Sequence, residues 1–195
     1  MTTSYWFIRH GPTHATGFAG HRDIPADLSD KALINRLNLF LPNDASIQSS
    51  DLSRARETAI AIRGTREILP EAPEFREMDF GDWDGKNFDE VARSDPQRAR
   101  DFWDSPGDIA PPNGESWNQL SARIKTALDQ RNENGPQGNL IIVAHFAVIL
   151  AAIQIASGME AKSIFSFKID NFSVTKLDYL HKSNNWRVMG VNHLV

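Results

Sequence analysis

An uninterrupted apolar run, Leu140-Ile141-Ile142-Val143-Ala144, limits the folds open to this chain of 195 residues more than any other feature. Because consecutive apolar residues leave no polar face, the run predicts a strand that is covered on both sides. Strands of this kind are typical of parallel sheets with helices on both faces. The run ends at His145, and the apolar segment Ala147–Ala156 after it predicts a helix.

Other strands and helices alternate along the chain. Tyr5–Ile8 is aromatic and β-branched and predicts a second buried strand, which stops before Gly11-Pro12. Ala45–Gln48 predicts a weaker strand, and helices are expected between the strands. The alternating order predicts an α/β fold, with a mostly parallel central sheet, right-handed crossovers and helices on both faces. The sequence contains no repeat, linker or low-complexity segment, so residues 1–195 are expected to form a single domain.

The rest of the chain is less regular. Residues 70–114 are rich in Pro, Gly, Asp and aromatic residues and predict an irregular excursion with short helices near Phe88–Ala92 and Arg98–Trp103. A long helix is expected next, opened by a capping box of Ser and Gln and closed by Asn134-Gly135-Pro136. Near the C-terminus Phe165, Phe167 and Ile169 alternate as in a strand, and Asn184-Asn185 predicts a hairpin turn.

Composition and charge exclude several classes of protein. Hydrophobic residues make up 41% of the chain and charged residues 24%, which is typical of a globular domain rather than a disordered one. The 21 basic residues are outnumbered by 25 acidic ones, so we expect no nucleic-acid partner. The absence of cysteine excludes disulfides, a thiolate nucleophile and Cys-ligated metal centres. With no long apolar run and no signal-peptide pattern, we expect a cytoplasmic protein without a membrane partner.

Polar residues suited to anion chemistry stand where the predicted strands end. Arg9 and His10 follow the first strand, and His145 follows the apolar run. Arg54 lies in the first turn of the helix after the strand at 45–48, where the helix dipole opposes a cation unless an anion is present. Ligands of open α/β sheets bind at this edge. Each residue alone also fits a structural or solvent-exposed side chain, and only their common position favours a site.

A carboxyl group could complete such a site. The segment Phe75–Gly85 mixes carboxylates with Phe80 and Trp83. An apolar neighbour raises the pKa of a carboxyl group and makes it a usable general acid near neutral pH. A solvated acidic loop is the alternative interpretation, and the pattern does not say which carboxylate is buried.

Two histidines, two arginines and a carboxyl group together suit phosphoryl transfer through a histidine. A neutral imidazole attacks phosphorus, the guanidinium groups bind the phosphoryl oxygens, and a carboxylic acid protonates the leaving alkoxide. Because the arginines supply the positive charge that a metal ion supplies in other phosphoryl-transfer enzymes, no metal or cofactor is expected.

Motifs along nearly the whole chain resemble those of the histidine phosphatase superfamily, which includes the cofactor-dependent phosphoglycerate mutases. They occur in the family's order and are Arg9-His10-Gly11-Pro12-Thr13, Ser49–Ala59, Arg76–Gly85, Gly114-Glu115-Ser116 and Ile142–His145. The resemblance implies a phosphoglycerate mutase-like three-layer sandwich with the active site at the carboxyl ends of the strands.

The resemblance also implies a role for each site residue. His10 would be the nucleophile that becomes phosphorylated, and Glu77 would be the proton donor and then the base that activates water. Arg9, Arg54 and His145 would bind the phosphoryl group, with His145 also counted as catalytic. The family needs no metal.

The sequence departs from the family's pattern in two places. Phe146 stands where the family usually has glycine, so its ring would narrow the choice of substrate, or lower activity if this backbone needs a positive φ. The Trp-Asn pair that often follows the first motif is absent, and Thr16 is expected to replace the Asn as a phosphate donor. His14 and His21 could contact substrate, but exposed loop positions are the simpler interpretation. Together with His10 they lack the spacing and carboxylate of a metal site.

We therefore expect a metal-independent phosphatase that hydrolyses a small phosphomonoester through a phosphohistidine. Phosphoglycerate mutase-type transfer is one alternative, although mutases resembling this family carry longer insertions that shield the phosphoenzyme from water. A phosphate-binding protein with little turnover is the other, because of Phe146. The expected partner is a small phosphorylated metabolite that no sequence pattern identifies, and a homodimer is compatible with the sequence.

Overall fold

The computed structural model describes residues 1–135 and 137–195. Within these residues the strands are β1 (Thr2–Arg9), β2 (Ser46–Ser49), β3 (Gly138–Ala144), β4 (Val174–Leu180) and β5 (Asn185–His193). They form one sheet in the order β2-β3-β1-β4-β5. β1, β2 and β3 are parallel, whereas β4 runs antiparallel to β1 and β5 antiparallel to β4. The mostly parallel sheet is confirmed, with an antiparallel hairpin at one edge.

Helices cover both faces of the sheet, as predicted. Their bounds are α1 (Lys31–Phe40), α2 (Ser53–Ala61), α3 (Phe88–Ser94), α4 (Pro96–Asp104), α5 (Trp117–Asn134), α6 (Phe146–Ser157) and α7 (Ala161–Ile164). α1 and α2 contribute buried residues to the core on one face, and α3 to α7 contribute to the core on the other. None of the helices in the described part of the chain is long and apolar enough to cross a membrane.

The apolar run at the centre of the sheet is divided between two cores. Leu140, Ile142 and Ala144 of β3 belong to the larger cluster, and Ile141 and Val143 belong to the smaller one. All five are 4% exposed or less. Complete burial of an aliphatic side chain contributes about 1.5–3 kcal/mol, so this strand is a major source of stability. The sequence-based prediction of a strand buried on both faces is confirmed.

Local signals in the sequence place the long helix and the hairpin. The side chain of Ser116 accepts from the Gln119 N–H at 3.2 Å, and Gln119 Oε1 accepts from the Ser116 N–H at 2.7 Å, so the predicted capping box is present. α5 ends at Asn134, and Gly135 caps it. Pro136, which the sequence also suggested as a stop signal, lies outside the described residues. Asn184 has a φ of +50° in the turn that joins β4 to β5.

The excursion between β2 and α5 contains more structure than its composition suggests. The two predicted short helices are α3 and α4, and short 3₁₀ turns at Pro73–Phe75 and Gly81–Trp83 precede them. The alternating segment at 165–169 is not a strand. It forms a loop after α7. In this loop the Ile169 carbonyl accepts a hydrogen bond from the Arg9 side chain instead of from the backbone of a neighbouring strand.

Candidate active site

β1 and β3 end side by side and bring two histidines together. Arg9, the last residue of β1, is paired with Ala144, the last residue of β3, so His10 and His145 directly follow the ends of two neighbouring strands. Their ring centroids lie 5.0 Å apart, with the ring planes at 59°. His10 is 6% exposed and His145 is fully buried.

Hydrogen bonds fix the tautomer of His10. Its ring Nδ1 lies 2.7 Å from the carbonyl oxygen of Gly11. Because a carbonyl oxygen only accepts, Nδ1 carries the proton and Nε2 keeps its lone pair. Burial lowers the pKa of His10 to about 3, so the ring is neutral near pH 7. A neutral imidazole with a free Nε2 is suited to nucleophilic attack.

Gly11 is held tightly behind this ring. Its backbone N–H donates to the hydroxyl of Thr58 at 3.0 Å, and that hydroxyl in turn donates to the Arg54 carbonyl at 2.7 Å. A Cβ on Gly11 would lie 2.7 Å from the ring of Phe172 and 3.0 Å from the Asp27 carbonyl. No larger residue fits without a shift of the backbone that orients His10.

Arg54 is fully buried at the start of α2, and most of its donors are already used. Its terminal nitrogens donate to the carbonyl groups of Ala19, Gly20 and Arg22 at 3.1, 2.6 and 2.9 Å. Its Nε donates to Nδ1 of His145 at 3.2 Å. Arg54 therefore ties the loop after β1 to the histidine after β3.

The hydrogen bond from Arg54 sets the tautomer of His145. Because Nδ1 accepts, the proton of the neutral ring is on Nε2. This Nε2–H is buried and has no hydrogen-bond partner in the described part of the chain. Burial, reinforced by neighbouring positive charge, lowers the pKa of His145 well below its ordinary value. The site thus contains a buried, neutral N–H donor that no described residue satisfies.

Arg9 brings a second guanidinium to the same place. Its Nη1 donates to the Ile169 carbonyl at 2.6 Å, and its Nε is buried without a partner in residues 1–135 and 137–195. Its Cζ lies 5.4 Å from the centre of the Phe146 ring. Phe146 is the first residue of α6, so its backbone is helical and needs no positive φ. The condition under which Phe146 would lower activity, a backbone with positive φ, is therefore not met.

Glu77 is the buried carboxyl group of the acidic segment Phe75–Gly85. It is 7% exposed, and its Oε1 accepts from the backbone N–H groups of Met78 at 2.9 Å and Ala147 at 3.1 Å. Burial raises the pKa of Glu77, although these two hydrogen bonds and the nearby arginines oppose the shift. Because both donors approach Oε1, Oε2 is the oxygen that remains for a transferable proton.

Several side chains hold the Glu77 backbone from outside the site. Arg123 donates to the carbonyl groups of Glu74 and Arg76 at 2.6 and 3.1 Å, and it pairs with Glu115 at 2.5 Å. A ring nitrogen of His21 donates to the Glu77 carbonyl at 2.9 Å. His21 therefore supports the segment that carries Glu77 instead of lying free in solvent.

A cavity of about 300 Å³ opens onto these groups. Arg9, His10 and Glu77 line it, together with Thr13, Ala15, Gly17, Phe18, Ala19, Phe80, Trp103 and Phe146. Arg54 and His145 are fully buried and are not among the described residues that line it. Thr16 is exposed and is also outside the lining, so its role as a phosphate donor stays a prediction.

Some supporting residues left no signal in the sequence. Asn171, just before β4, donates to the His10 carbonyl at 2.7 Å, and its position depends on an antiparallel pairing that the sequence did not specify. Phe18 and Trp103 line the cavity from two distant segments that the sequence did not bring together. His14 is exposed and pairs with Asp27 at 2.8 Å. Among the described residues, no group of three or more His, Asp or Glu side chains is placed to hold a metal ion.

The fold and the site define an α/β protein that gathers two neutral imidazoles, two guanidinium groups and a buried carboxyl group beyond the carboxyl ends of its parallel strands. A family model described as the histidine phosphatase superfamily (branch 1) matches residues 5–192, and the chain belongs to this superfamily. It is a hydrolase of the phosphomonoester type.

Curated relatives and solved structures agree with this assignment. The chain is 26% identical over 190 residues to the adenosylcobalamin/alpha-ribazole phosphatase of Escherichia coli, covering 94% of each. It is 34% identical over 162 residues to a metal-independent phosphoserine phosphatase of Arabidopsis thaliana, covering 76% of this chain and 66% of the relative. Among structures, Bacillus stearothermophilus YhfR superposes with a TM-score of 0.87 at 26% identity, covering 99% of this chain and 98% of that one.

Proposed function

We propose that the protein hydrolyses a small phosphomonoester through a phosphohistidine at His10, without a metal ion. One observation carries the proposal: the bond from Nδ1 to the Gly11 carbonyl leaves Nε2 unprotonated in a cavity that Glu77 also lines. The absence of cysteine and the charged composition also support a cytoplasmic location.

In the first step Nε2 of His10 attacks phosphorus, and the bond from phosphorus to the ester oxygen breaks. Oε2 of Glu77 gives its proton to that oxygen, so the alcohol leaves neutral and Glu77 becomes a carboxylate. The guanidinium of Arg9 and the Nε2–H of His145 offer donors to the phosphoryl oxygens. Arg54 keeps His145 in the tautomer that donates.

In the second step the Glu77 carboxylate accepts a proton from water as that water attacks phosphorus. The bond from phosphorus to Nε2 breaks, inorganic phosphate forms, and Glu77 is again protonated. The buried environment that raises the pKa of Glu77 therefore serves both steps, since it keeps the acid protonated to a higher pH and makes the carboxylate a stronger base.

Hydrolysis and mutase-type transfer differ in what accepts the phosphoryl group. The named relatives are phosphatases for different esters, which supports hydrolysis without indicating one substrate. A mutase would return the phosphoryl group to an organic acceptor and would need a bisphosphorylated compound to prime it. A phosphate-binding protein would bind the anion without turnover.

A single assay separates the three. The protein is treated with a chelator, given a panel of phosphomonoesters without any bisphosphorylated compound, and assayed for inorganic phosphate. We expect phosphate release at an unchanged rate in the wild type and none in the His10→Ala variant. Strong inhibition by the chelator, or turnover only after addition of a bisphosphorylated compound, would contradict the proposal.

A further inference from the structure

The part of the cavity beyond the reacting groups is walled by aromatic rings. Phe18 comes from the loop after β1, Phe80 from the segment that also carries Glu77, Trp103 from α4 and Phe146 from the start of α6. These segments are far apart in sequence, and the fold brings their rings to one mouth. We call these four side chains the aromatic wall.

Direct contacts join three of the four rings. The centroids of Phe18 and Phe80 lie 4.9 Å apart, and the ring of Phe18 stacks on Trp103 at 6.0 Å with an interplanar angle of 21°. Phe102 packs edge-on against Trp103 at 4.8 Å from the core side. Rings held in this way are pre-ordered, so a ligand that packs on them loses little entropy in arranging the pocket.

Charge in the cavity is confined to the reacting end. Among the described lining residues, Arg9 is the one cation and Glu77 the one carboxylate, and both are committed to the phosphoryl group and its proton. The remaining lining consists of aromatic, small and hydroxyl side chains. A carboxylate on the substrate's alcohol would therefore be desolvated against the negative faces of rings without an opposite charge, which is unfavourable.

We propose that the preferred substrates are phosphomonoesters of uncharged alcohols that carry an aromatic or planar apolar group, which packs against the aromatic wall. This inference rests on the proposed function, because it names the alcohol that Glu77 protonates. It argues against phosphorylated amino acids and sugar acids as the preferred substrates of this chain. Phe146, which contacts Arg9, makes the wall continuous with the phosphoryl-binding end.

The test compares esters of primary alcohols, whose leaving groups are chemically similar. For the wild type, kcat/KM for 2-phenylethyl phosphate should exceed that for ethyl phosphate by about 10- to 100-fold, the effect of burying a phenyl group. O-phosphoserine, with its two charges, should be a poorer substrate than ethyl phosphate. Equal values for the first two esters, or a preference for O-phosphoserine, would overturn the proposal.

Variants locate the effect on the wall. Trp103→Leu and Phe18→Leu should each lower the ratio of the two kcat/KM values, phenylethyl over ethyl, by about 3- to 10-fold. Phe88→Leu is the matched control, because Phe88 lies on the neighbouring α3 and is 57% exposed. An unchanged ratio in both wall variants would also overturn the proposal.

A binding measurement keeps this inference separate from the proposed function. Phenylethylphosphonate and ethylphosphonate cannot be hydrolysed, and calorimetry on the wild type gives their affinities whether or not the protein turns over. Tighter binding of the phenylethyl compound supports the role of the aromatic wall in substrate choice. If at the same time no ester is hydrolysed, only the proposed reaction is contradicted. Equal affinities would reject the wall as a specificity element even if hydrolysis is observed.

Discussion

The backbone N–H of Ala147 donates a hydrogen bond of 3.1 Å to Oε1 of Glu77. Ala147 is the second residue of α6, the helix that His145 caps at its N-terminus, so its N–H is one of the donors that the first turn of a helix leaves free. The bond fixes one carboxyl oxygen of Glu77 and leaves Oε2 for the proton. It also links the segment that carries Glu77 to the helix that follows His145.

Replacement of Glu77 by glutamine should reduce activity according to the leaving group. Gln keeps an oxygen that can accept from Ala147 but has no transferable proton. For ethyl phosphate we expect kcat/KM to fall by about 10²- to 10⁴-fold. For 4-nitrophenyl phosphate, whose leaving group needs little protonation, the fall in kcat/KM should be much smaller. Equal losses for both esters in steady-state assays would remove Glu77 as the acid.

The pH dependence of the wild type should follow the same carboxyl group. Burial raises the pKa of Glu77, and the protonated form is the active one, so kcat/KM for ethyl phosphate should fall as the pH rises through that raised value. Because the pKa of His10 is lowered to about 3, protonation of the nucleophile should not limit the rate above about pH 4. The alkaline fall should be absent for 4-nitrophenyl phosphate, and its presence there would point to another group.

Glu77 should also make the fold less stable at neutral pH than a neutral isostere would. A carboxyl group whose pKa is raised by folding contributes its full stability below the unfolded value, near 4.3, and loses it as the pH rises towards the raised value. The loss is about 1.4 kcal/mol for each pH unit in that window. Glu77→Gln should therefore be more stable than the wild type in urea unfolding at pH 8, and nearly equal at pH 4.

The exposed Glu133 supplies the control for this comparison. Glu133→Gln should change the free energy of unfolding by less than about 0.5 kcal/mol at either pH. If Glu77→Gln behaves like this control, the carboxyl group is not buried in the way described.

Replacement of Arg54 by lysine should lower the stability of the fold and should no longer hold His145 in its Nε2–H tautomer. An ammonium group cannot reach three carbonyl groups and a ring nitrogen with the geometry of a guanidinium. We expect Arg54→Lys to lower the free energy of unfolding by about 2–4 kcal/mol. Nitrogen NMR should find the Nε2–H form of His145 in the wild type and a mixture in the variant.

Arg56 on the same helix provides the comparison, since its side chain is about 39% exposed. Arg56→Lys should cost less than about 1 kcal/mol and leave the His145 tautomer unchanged. A wild-type His145 protonated on Nδ1 would contradict the arrangement.

The sequence predicted the framework of this fold because its strongest signals come from complete burial. The run at 140–144 has no polar face, and in the structure it is covered on both sides. The capping box at Ser116 is equally local, since both of its hydrogen bonds join residues three apart. The residues at strand ends could be placed at one edge because parallel strands end together.

What the sequence could not predict depends on contacts between distant segments. The antiparallel hairpin at the edge brings Asn171 to His10, and no short-range pattern encodes that pairing. The residue pattern alone could not single out Glu77 among several nearby carboxylates, and only the resemblance named it. The distinction depends on burial, and the fold brings the start of a separate helix, at Ala147, against this carboxyl group. The aromatic wall is assembled from four segments for the same reason.

The most direct test of the account is to trap and locate the phosphoryl group. Glu77→Gln given 4-nitrophenyl phosphate should form the phosphoenzyme, which needs no acid for that leaving group, and should hydrolyse it slowly because the base is missing. After rapid quenching at alkaline pH, mass spectrometry and phosphorus NMR should find close to one phosphoryl group per chain, on Nε2 of His10. No covalent phosphate, or phosphate on Nδ1 or on another residue, would contradict the account.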